Sequence, residues 1–456
     1  MKIEIPKDTP FAVQCMDGAA GLRALPNNSV KLIYGSPPYP NAERDYGVWR
    51  SDEYIEKIAP FIDAAKEKLT DDGFLVINVK ANREKATSKA STKRSLVVEK
   101  LAILLEERWG FSCVDIEIWV KDNPVPTGLR VACQDAYEQN LWFSKSPKWK
   151  IDIDAIRRPY EEASLKAYET TEYKPRTNGL SYVRKAKRII PNPQGALPLN
   201  VIRGAVSAKQ EQHQAVQPGY LPEKYIKACT KKGDIVVDPW LGTGTTGVAA
   251  IGLERKFIGF DVSGEYVIHS EKVLKKKQEE MLMKAKVSSQ RAEQHQKFIE
   301  ALGDSVVIHS ETIQRPLEVE IAKPFPLKLR VYLFTCSNPP GGRAPNEYKF
   351  NLNVPGQTGR GNFDTSDNCF IILAAYVADE DPDMDVWVLW DAAMHKNFAM
   401  NANVQTKAEL IQAARFEKVA TLEKNNGEVV IAARGKYLLD AIQLRNDLTF
   451  KKLFGE

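Results

Sequence analysis

The chain has 456 residues, enough for two or three domains, and its hydrophobic and charged fractions of 43% and 27% are those of a soluble globular protein. A net charge of +5 permits nucleic acid as a partner without requiring it. The sequence has no apolar run near the ~18 residues of a membrane span, no apolar signal-peptide core and no CxxC pair among its six cysteines. These features exclude a disulfide scaffold and a cysteine-based zinc site. They predict a cytoplasmic protein that does not act at a membrane.

A strand, a helix and a second strand are predicted at the start of the chain. The strands cover residues 11–14 and 30–34, and the helix covers residues 19–25. The second strand leads directly into Ser36-Pro37-Pro38-Tyr39, here named the SPPY loop. Two consecutive prolines cannot continue a helix or a central strand. The loop therefore presents Ser36 and Tyr39 rigidly at the carboxyl end of a strand, where α/β sheets bind ligands. A proline-rich turn with no further role is the alternative.

Helices and strands continue to alternate along the chain. Amphipathic helices are predicted over residues 54–69 and 95–108, and strands over residues 74–79 and 114–120. A turn at residues 71–73 precedes the first of these strands. The alternation predicts an α/β fold with a doubly wound, mainly parallel sheet.

The stretch from residue 235 to residue 261 predicts a βαβ unit with a ligand loop. An apolar strand ends at Asp238, the glycine loop Gly242-Thr243-Gly244 follows, and a strand after the next helix ends on Asp261. Glycines let the backbone approach a nucleoside, and a carboxylate at the second strand end can accept hydrogen bonds from ribose. No Gly-Lys-Ser/Thr follows, so a P-loop is excluded. Taken alone, the stretch leaves S-adenosylmethionine, a dinucleotide and a ligand-free turn open.

Two motifs together are more specific than either alone. The SPPY loop after one strand and DPWLGTGTTG after another resemble the DNA amino-methyltransferases, in the permuted order of the beta group. The run YEQNLWFSKSP at residues 137–147 resembles a further stretch of that family, and the resemblance covers roughly residues 8–275. It implies methyl transfer from S-adenosylmethionine to an exocyclic amino group of cytosine or adenine in double-stranded DNA, with base flipping.

The resemblance also implies roles for single residues. The Ser36 hydroxyl and the Pro37 carbonyl would accept hydrogen bonds from the amino group, and Tyr39 would stack on the base, in a loop that Pro38 stiffens. Asp17 would accept a hydrogen bond from the adenine amino group of the cofactor, although a turn formed by Asp17-Gly18 explains it almost equally well, and Asp261 would bind the ribose. The implied cofactor-binding residues are Asp17, His213, Gln214, Pro218, Asp238, Trp240, Gly242, Thr243, Gly244, Thr245, Thr246 and Asp261. Trp240 departs from the family, which usually has Phe there.

The resemblance favours N4 of cytosine as the target. Ser at the first position of the SPPY loop is typical of cytosine-N4 enzymes, whereas adenine-N6 enzymes usually carry Asp or Asn; adenine stays the alternative. Residues 152–209 lose periodicity and are rich in Arg, Lys, Tyr and Pro, which suits phosphate contacts and stacking during target recognition. A solvated insertion is the alternative. The candidate DNA-binding residues are Arg44, Arg157, Arg158, Lys174, Arg176 and Arg184.

The rest of the chain predicts a linker and an α+β domain. We predict a catalytic domain over residues 1–275, a helical linker over residues 276–301 and an accessory domain over residues 302–456. The accessory domain contains Glu347-Tyr348-Lys349, Asp364 and Asp367, which a magnesium nuclease would need. However, the preceding strand at residues 327–334 contains no acidic residue, so a DNA-binding or modification-sensing module is favoured over a nuclease. The composition of this domain also fits an oligomerisation domain.

Three hypotheses follow for the whole chain. The first is a methyltransferase of a restriction-modification system, acting as a monomer or homodimer beside a cognate restriction endonuclease, with S-adenosylmethionine as its cofactor and no metal. The second is a bifunctional chain that also cleaves DNA. The third is a dinucleotide oxidoreductase, which would leave the SPPY loop without a role.

Overall fold

A computed structural model of the chain describes residues 9–42, 47–80, 82, 93–124, 133–170, 191–206, 217–323, 325–338 and 346–455. The chain forms two compact units, Met1–Leu282 and Met283–Glu456. The boundary between them falls inside the long helix Gly264–Leu302.

An eight-stranded sheet forms the centre of the first unit within the described residues. Its strands are β1 (Phe11–Cys15), β2 (Val30–Gly35), β3 (Leu69–Val79), β4 (Ser112–Lys121), β5 (Tyr137–Ser144), β6 (Val201–Gly204), β7 (Ile235–Asp238) and β8 (Lys256–Asp261). Their order is β1-β8-β7-β2-β3-β5-β4-β6. Only β5 runs antiparallel to its neighbours, β3 and β4, and the other pairs are parallel. The predicted mainly parallel sheet is confirmed.

Helices cover both faces of this sheet. They are α1 (Gly18–Ala24), α2 (Tyr54–Lys68), α3 (Val97–Glu107), α4 (Glu162–Thr170), α5 (Tyr220–Cys229), α6 (Thr245–Gly252) and α7 (Gly264–Leu302). Ile33 of β2 packs in a core with α1, α2 and α3, whereas its neighbour Leu32 packs in a second core with α5, α6 and the start of α7. Successive residues of a strand point to opposite faces, so an uninterrupted apolar strand feeds two cores. The doubly wound arrangement is confirmed.

Two features of the first unit differ from the predictions. The turn predicted at residues 71–73 lies inside β3, where the pairing with β2 shifts register between Val30 and Leu32. The irregular segment at residues 152–209 contributes α4 and also β6, which pairs in parallel with β4 at the edge of the sheet. β6 has only four residues and no apolar alternation, so no periodic signal marked it.

The second unit is an α+β domain, as predicted. Its strands are β9 (Val306–His309), β10 (Leu317–Ile321), β11 (Leu327–Thr335), β12 (Glu347–Leu352), β13 (Phe370–Val377), β14 (Val386–Trp390), β15 (Ala402–Lys407), β16 (Ala420–Glu423) and β17 (Val429–Arg434). Seven of them form a sheet in the order β16-β17-β14-β13-β11-β10-β9, and β12 pairs with β15 separately. The helices α8 (Ala408–Phe416) and α9 (Leu438–Phe454) pack into the two cores on either face of the larger sheet.

The helix α7 extends further into the second unit than a linker would. Its last turns place Phe298, Ile299 and Leu302 in a core of the second unit, together with side chains of β10, β11 and α9. The structural boundary after Leu282 therefore differs from the predicted start of the accessory domain at residue 302. In the part of the chain that the structure describes, no helix combines the length and the apolar character needed to cross a membrane.

Candidate active site

Four neighbouring strands of the first sheet end at one edge. These strands lie in the order β1-β8-β7-β2, and each runs parallel to its neighbours. Cys15 of β1 lies opposite Asp261 of β8, and Ile33 of β2 lies opposite Val237 of β7. Parallel strands end on the same side, so the residues that follow them meet there. These are Asp17 after β1, Asp261 at the end of β8, Asp238 at the end of β7 and Ser36 after β2.

The glycine loop is held in place by side chains from other segments. Gly242 and Gly244 have φ values of +50° and +82°, in the left-handed region that favours glycine. The Asp261 carboxylate accepts hydrogen bonds from the Gly242 amide (2.9 Å) and the Ser263 amide (2.9 Å). The Ser270 hydroxyl donates to the Gly242 carbonyl at 2.8 Å. Asp261, which was predicted to bind ribose, thus also helps to fix the conformation of the glycine loop.

Asp238 stabilises the same loop from inside. Its carboxylate is 4% exposed and accepts hydrogen bonds from the Trp240 amide (3.0 Å) and the Thr246 hydroxyl (2.6 Å). Burial raises the pKa of Asp238 to about 7, and the negative charge of Asp261 adds to this increase. The side chain thus connects the strand end to the first turn of α6.

The end of β2 and the segment that follows β7 touch at Gly35. A Cβ atom at this position would lie 2.7 Å from the Trp240 ring and 2.9 Å from Asp238 Oδ1, closer than real Cβ contacts. The Trp240 ring also packs against Phe61, with ring centroids 4.9 Å apart. Because residue 35 has no side chain, the strand end before the SPPY loop lies directly against Asp238 and Trp240, which precede the glycine loop.

A polar network behind the SPPY loop was not predicted. The Ser36 hydroxyl donates to Tyr39 Oη (3.3 Å), and the Tyr39 hydroxyl donates to Glu138 Oε2 (2.7 Å). Asn78 Oδ1 lies 3.0 Å from Tyr39 Oη and 3.4 Å from Ser36 Oγ. Burial raises the pKa of the Tyr39 hydroxyl well above its ordinary value, and the negative charge of Glu138 raises it further.

Three strands supply the rest of this network. Glu138 of β5 is 3% exposed, and its other oxygen, Oε1, forms an ion pair with Lys121 of β4. Asn78 of β3 donates through Nδ2 to Asn140 of β5 at 3.0 Å. The available signal was polar side chains in buried strands, Asn78 in the apolar FLVINV and Glu138 beside Gln139 and Asn140 in YEQNLWF. Buried polar groups require partners, so such residues point to a network without naming its members.

Comparison with known proteins identifies this arrangement. Residues 30–272, more than half of the chain, match the DNA methylase family of N6 and N4 methyltransferases. The chain belongs to this family. Residues 327–442 match a second family, described as methylase-associated X1.

Relatives of this methylase include type II methyltransferases. The type II methyltransferase M.PvuII of Proteus hauseri is 27% identical over 270 residues, which cover 55% of this chain and 79% of that protein. M.Cfr9I of Citrobacter freundii is also 27% identical, over 55% of this chain and 83% of that protein.

Solved structures also match this methylase. The structure titled PvuII DNA methyltransferase (cytosine-N4-specific) has 24% identity and a TM-score of 0.44, over 57% of this chain and 85% of that one. The structure of the M1.HpyAVI complex with S-adenosylmethionine has 24% identity and a TM-score of 0.35, over 58% of this chain and all of that one.

S-adenosylmethionine is the cofactor of the family, and the residues of this methylase fit it. A carboxylate at the end of β8 suits the ribose hydroxyls, and a left-handed glycine loop brings backbone amides close to a ligand. The buried Trp240 Nε1 has no hydrogen-bond partner in the described part of the chain. Family membership therefore decides between the cofactors that the glycine loop alone left open.

Other predicted cofactor residues have contacts of their own. Asp17 is exposed, and its Oδ1 accepts from the Ala20 amide (2.9 Å) as the N-cap of α1. Pro218 precedes α5, and its carbonyl accepts from the Leu221 amide (3.2 Å). Thr243 and Thr245 place their hydroxyl oxygens 3.5 Å apart at the start of α6. His213 and Gln214 lie outside the described residues. A role for each of these residues in cofactor binding stays a prediction.

The two described DNA-binding candidates hold the irregular segment together. Arg157 bonds to Asp154 through Nε (2.6 Å) and donates to the Gly195 carbonyl (2.9 Å). Arg158 donates to the Leu197 carbonyl (3.3 Å). Arg44, Lys174, Arg176 and Arg184 lie outside the described residues. Contact of any of these six side chains with DNA stays a prediction.

The acidic residues proposed for a nuclease occupy different places in the second unit. Glu347 and Lys349 lie on β12, where they pair with Lys407 and Gln405 of β15. Asp364 and Asp367 instead form ion pairs with the buried Arg330 of β11, at 2.9 Å and 3.1 Å. Among the described residues, no group of three or more His, Cys, Asp or Glu side chains is arranged to hold a metal.

Proposed function

We propose that this methylase transfers a methyl group from S-adenosylmethionine to N4 of cytosine in double-stranded DNA, as the modification enzyme of a type II restriction-modification system. The observation that carries the proposal is Ser36, which supplies a neutral hydroxyl as the first group of the SPPY loop. Its hydrogen is donated to Tyr39 (3.3 Å) or to Asn78 (3.4 Å), so its lone pairs are available to an amino group. The relatives M.PvuII and M.Cfr9I are type II methyltransferases, and M.PvuII is described as cytosine-N4-specific, which supports both parts of the proposal.

The loop has to make a poor nucleophile react. The lone pair of an exocyclic amino group is delocalised into the ring, so the nitrogen attacks only when its hydrogens are held in fixed directions. Ser36 Oγ and the Pro37 carbonyl accept these two hydrogens and direct the lone pair toward the methyl group. The contacts of Tyr39 with Asn78 and Glu138 hold the loop in place before the base arrives. Positioning of this kind supplies most of the rate.

Bound S-adenosylmethionine supplies a methyl group that its positive sulfur already activates. Asp261 accepts hydrogen bonds from the ribose, and the glycine loop that Asp261 and Asp238 hold binds the methionine part. A base inside a duplex is out of reach of these groups, so the cytosine is flipped out and stacks on the ring of Tyr39.

The second unit is proposed to aid DNA recognition. The match of residues 327–442 to a methylase-associated family supports a role beside the methylase rather than an independent activity. The ion pairs of Asp364 and Asp367 with Arg330 favour a structural role for these carboxylates over metal binding.

The test is incubation of the protein with unmethylated genomic DNA and S-adenosylmethionine, followed by mass spectrometry of the nucleosides. We expect N4-methylcytosine. N6-methyladenine would retain the reaction class and refute the proposed base, and no methylated base would refute the proposal. A parallel incubation with Mg²⁺ tests the second unit, because cleavage of unmethylated DNA would identify it as a nuclease.

A further inference from the structure

We propose that Glu138 is the terminal proton acceptor of methyl transfer, reached from Ser36 through the hydroxyl group of Tyr39. This inference rests on the proposed role of the SPPY loop, and it holds for either target base, because both amino groups must lose a proton.

The hydrogen bonds give the chain of groups a direction. Ser36 donates to Tyr39 at 3.3 Å, and Tyr39 donates to Glu138 at 2.7 Å. Asn78 Oδ1 is a second acceptor within reach of both hydroxyl groups, at 3.4 Å and 3.0 Å. In the arrangement in which Ser36 donates to Tyr39 and Tyr39 to Glu138, both hydroxyl hydrogens point along the chain toward the carboxylate. A proton that arrives at Ser36 Oγ can therefore move on without any side chain changing its place.

Methyl transfer forms one bond, breaks another and releases one proton. The amino nitrogen forms a bond to the methyl carbon while the sulfur–carbon bond breaks, and the sulfur keeps the electron pair. The nitrogen then carries a positive charge and releases a proton to Ser36 Oγ. Ser36 passes its own hydrogen to Tyr39 Oη, and Tyr39 passes its hydrogen to Glu138 Oε2. The protonated Glu138 returns the proton to solvent after the product leaves.

Glu138 is the member of the network that is suited to accept this proton. Asn78 lies as close to Tyr39, but an amide oxygen is not a base at neutral pH, and Asn78 Nδ2 is committed to Asn140. Lys121 pairs with the second oxygen of Glu138 and balances the charge of the buried carboxylate. Because burial and Glu138 raise the pKa of Tyr39, its hydroxyl stays protonated and passes its hydrogen on only as it receives another.

The chain contains a matched control for Glu138. Glu117 of β4 is equally buried, at 3% exposed, and it too bonds to a lysine and a tyrosine hydroxyl, Lys224 Nζ (2.6 Å) and Tyr225 Oη (2.6 Å). Its tyrosine does not belong to the SPPY loop. Glu117→Gln therefore measures how the loss of a buried carboxylate affects folding, because Glu117 takes no part in the proposed relay.

The experiment compares single-turnover methyl transfer by the full chain and by Glu138→Gln, Tyr39→Phe, the double variant and Glu117→Gln. General acid–base groups contribute about 10²–10⁴-fold to the rate of a reaction. We expect the rate of methyl transfer by Glu138→Gln to fall about 10²-fold. The affinity of this variant for S-adenosylmethionine, measured by calorimetry, should stay within a few fold of the native value. Tyr39→Phe keeps the stacking ring and should lose a similar factor. The double variant should be no slower than the slower single variant, because both substitutions interrupt one relay.

The solvent deuterium isotope effect separates a relay from a purely positional contact. Glu138 is the terminal acceptor of the proposed relay, so methyl transfer by the native enzyme and by Glu117→Gln should be slower in deuterated water. This isotope effect should shrink in Glu138→Gln.

Two results would overturn the relay. A rate of Glu138→Gln equal to that of Glu117→Gln would show that the carboxylate takes no part. A slow Glu138→Gln that keeps the native isotope effect would reduce Glu138 to a support for Tyr39. The proposed function is tested separately, because the methylated nucleoside that the native chain produces identifies its target base.

Discussion

At the scale of single residues, side chains that are proposed to bind the cofactor also stabilise the structure of the site. Asp238 and Asp261 hold the glycine loop through hydrogen bonds of 2.6–3.0 Å, although the resemblance had assigned them to the ligand alone. A carboxylate oxygen accepts more than one hydrogen bond, so Asp261 can hold the loop and still bind ribose hydroxyls. Ser36 differs, because its described hydrogen bonds lead into the Tyr39 network rather than to the glycine loop.

Ser36→Ala tests the acceptor role of the hydroxyl. We expect turnover to fall about 10²–10³-fold, the usual cost of removing one positioned hydrogen-bonding group. The affinity for S-adenosylmethionine, measured by calorimetry, should stay nearly unchanged. Loss of cofactor binding in this variant would show that Ser36 belongs to the cofactor site instead.

Asp238→Asn tests the buried carboxyl group. Its pKa of about 7 lies above the ordinary value of 3.8, so the folded protein holds this proton to higher pH than the unfolded chain does. The stability that Asp238 contributes is fully present below about pH 4 and is lost as the pH rises through 7. The asparagine of the variant stays neutral and adds no pH dependence. The free energy of unfolding of the native chain should therefore fall relative to that of the variant between pH 4 and pH 7.5. The expected decrease is a few kcal/mol, because each pKa unit corresponds to about 1.4 kcal/mol.

Urea unfolding followed by tryptophan fluorescence at several pH values makes this comparison. Parallel pH dependences of the native chain and Asp238→Asn would contradict the raised pKa, since a carboxyl group that titrates alike in both states adds no pH dependence.

At the scale of elements, the ends of strands decide the geometry of the site. β2 and β7 are neighbours, so the SPPY loop and the glycine loop, about 200 residues apart in the sequence, meet at one edge of the sheet. The antiparallel strand β5 then places Glu138 and Asn140 beside Asn78 of β3 and Lys121 of β4. The catalytic loop is thus supported by three further strands.

Gly35→Ala tests the contact between the end of β2 and the segment that follows β7. The added Cβ would lie within 3 Å of Trp240 and Asp238, so one of the two segments has to move. We expect a loss of about 1–3 kcal/mol in stability, typical of overpacking, together with slower methyl transfer. Gly219→Ala is the control for stability, because a Cβ there meets no atom within 4 Å and the backbone is helical, with φ −60°. Equal melting temperatures for the two variants would show that these segments are not tightly packed at Gly35.

At the scale of the whole molecule, two units with separate cores predict separate folding. The first unit contains the complete eight-stranded sheet, and Phe298, Ile299 and Leu302 of α7 belong to the core of the second. A fragment that ends at Leu282 should therefore fold and bind S-adenosylmethionine.

Two versions of the second unit test the boundary. The fragment Met283–Glu456 should unfold cooperatively in a thermal circular dichroism scan. A fragment that starts at residue 302 lacks the buried Phe298 and Ile299, each worth about 1.5–3 kcal/mol of burial, and should be far less stable or unfolded. Equal stability of the two fragments would place the boundary at residue 302, as the sequence had predicted.

The sequence by itself determined most of the helices and strands of the first unit, the doubly wound sheet and the family, because helical and strand periodicities and the two loop motifs are local patterns. It also marked Ser36, Tyr39, Asp238 and Asp261 as candidate site residues. It did not identify β5, whose residues were noted only for their family resemblance, or β6, where four residues carry no periodic signal.

Only the tertiary structure decided which side chains support the catalytic loop. Asn78, Lys121 and Glu138 come from three strands, and no spacing between them in the sequence indicates contact. The contacts among these side chains depend on the order of the strands and on the antiparallel register of β5. They also depend on the face of the sheet that each side chain occupies, because a register shift of one residue would turn the side chain to the opposite face. Long-range strand pairing therefore determined the proposed proton relay, and local sequence determined the loop that it serves.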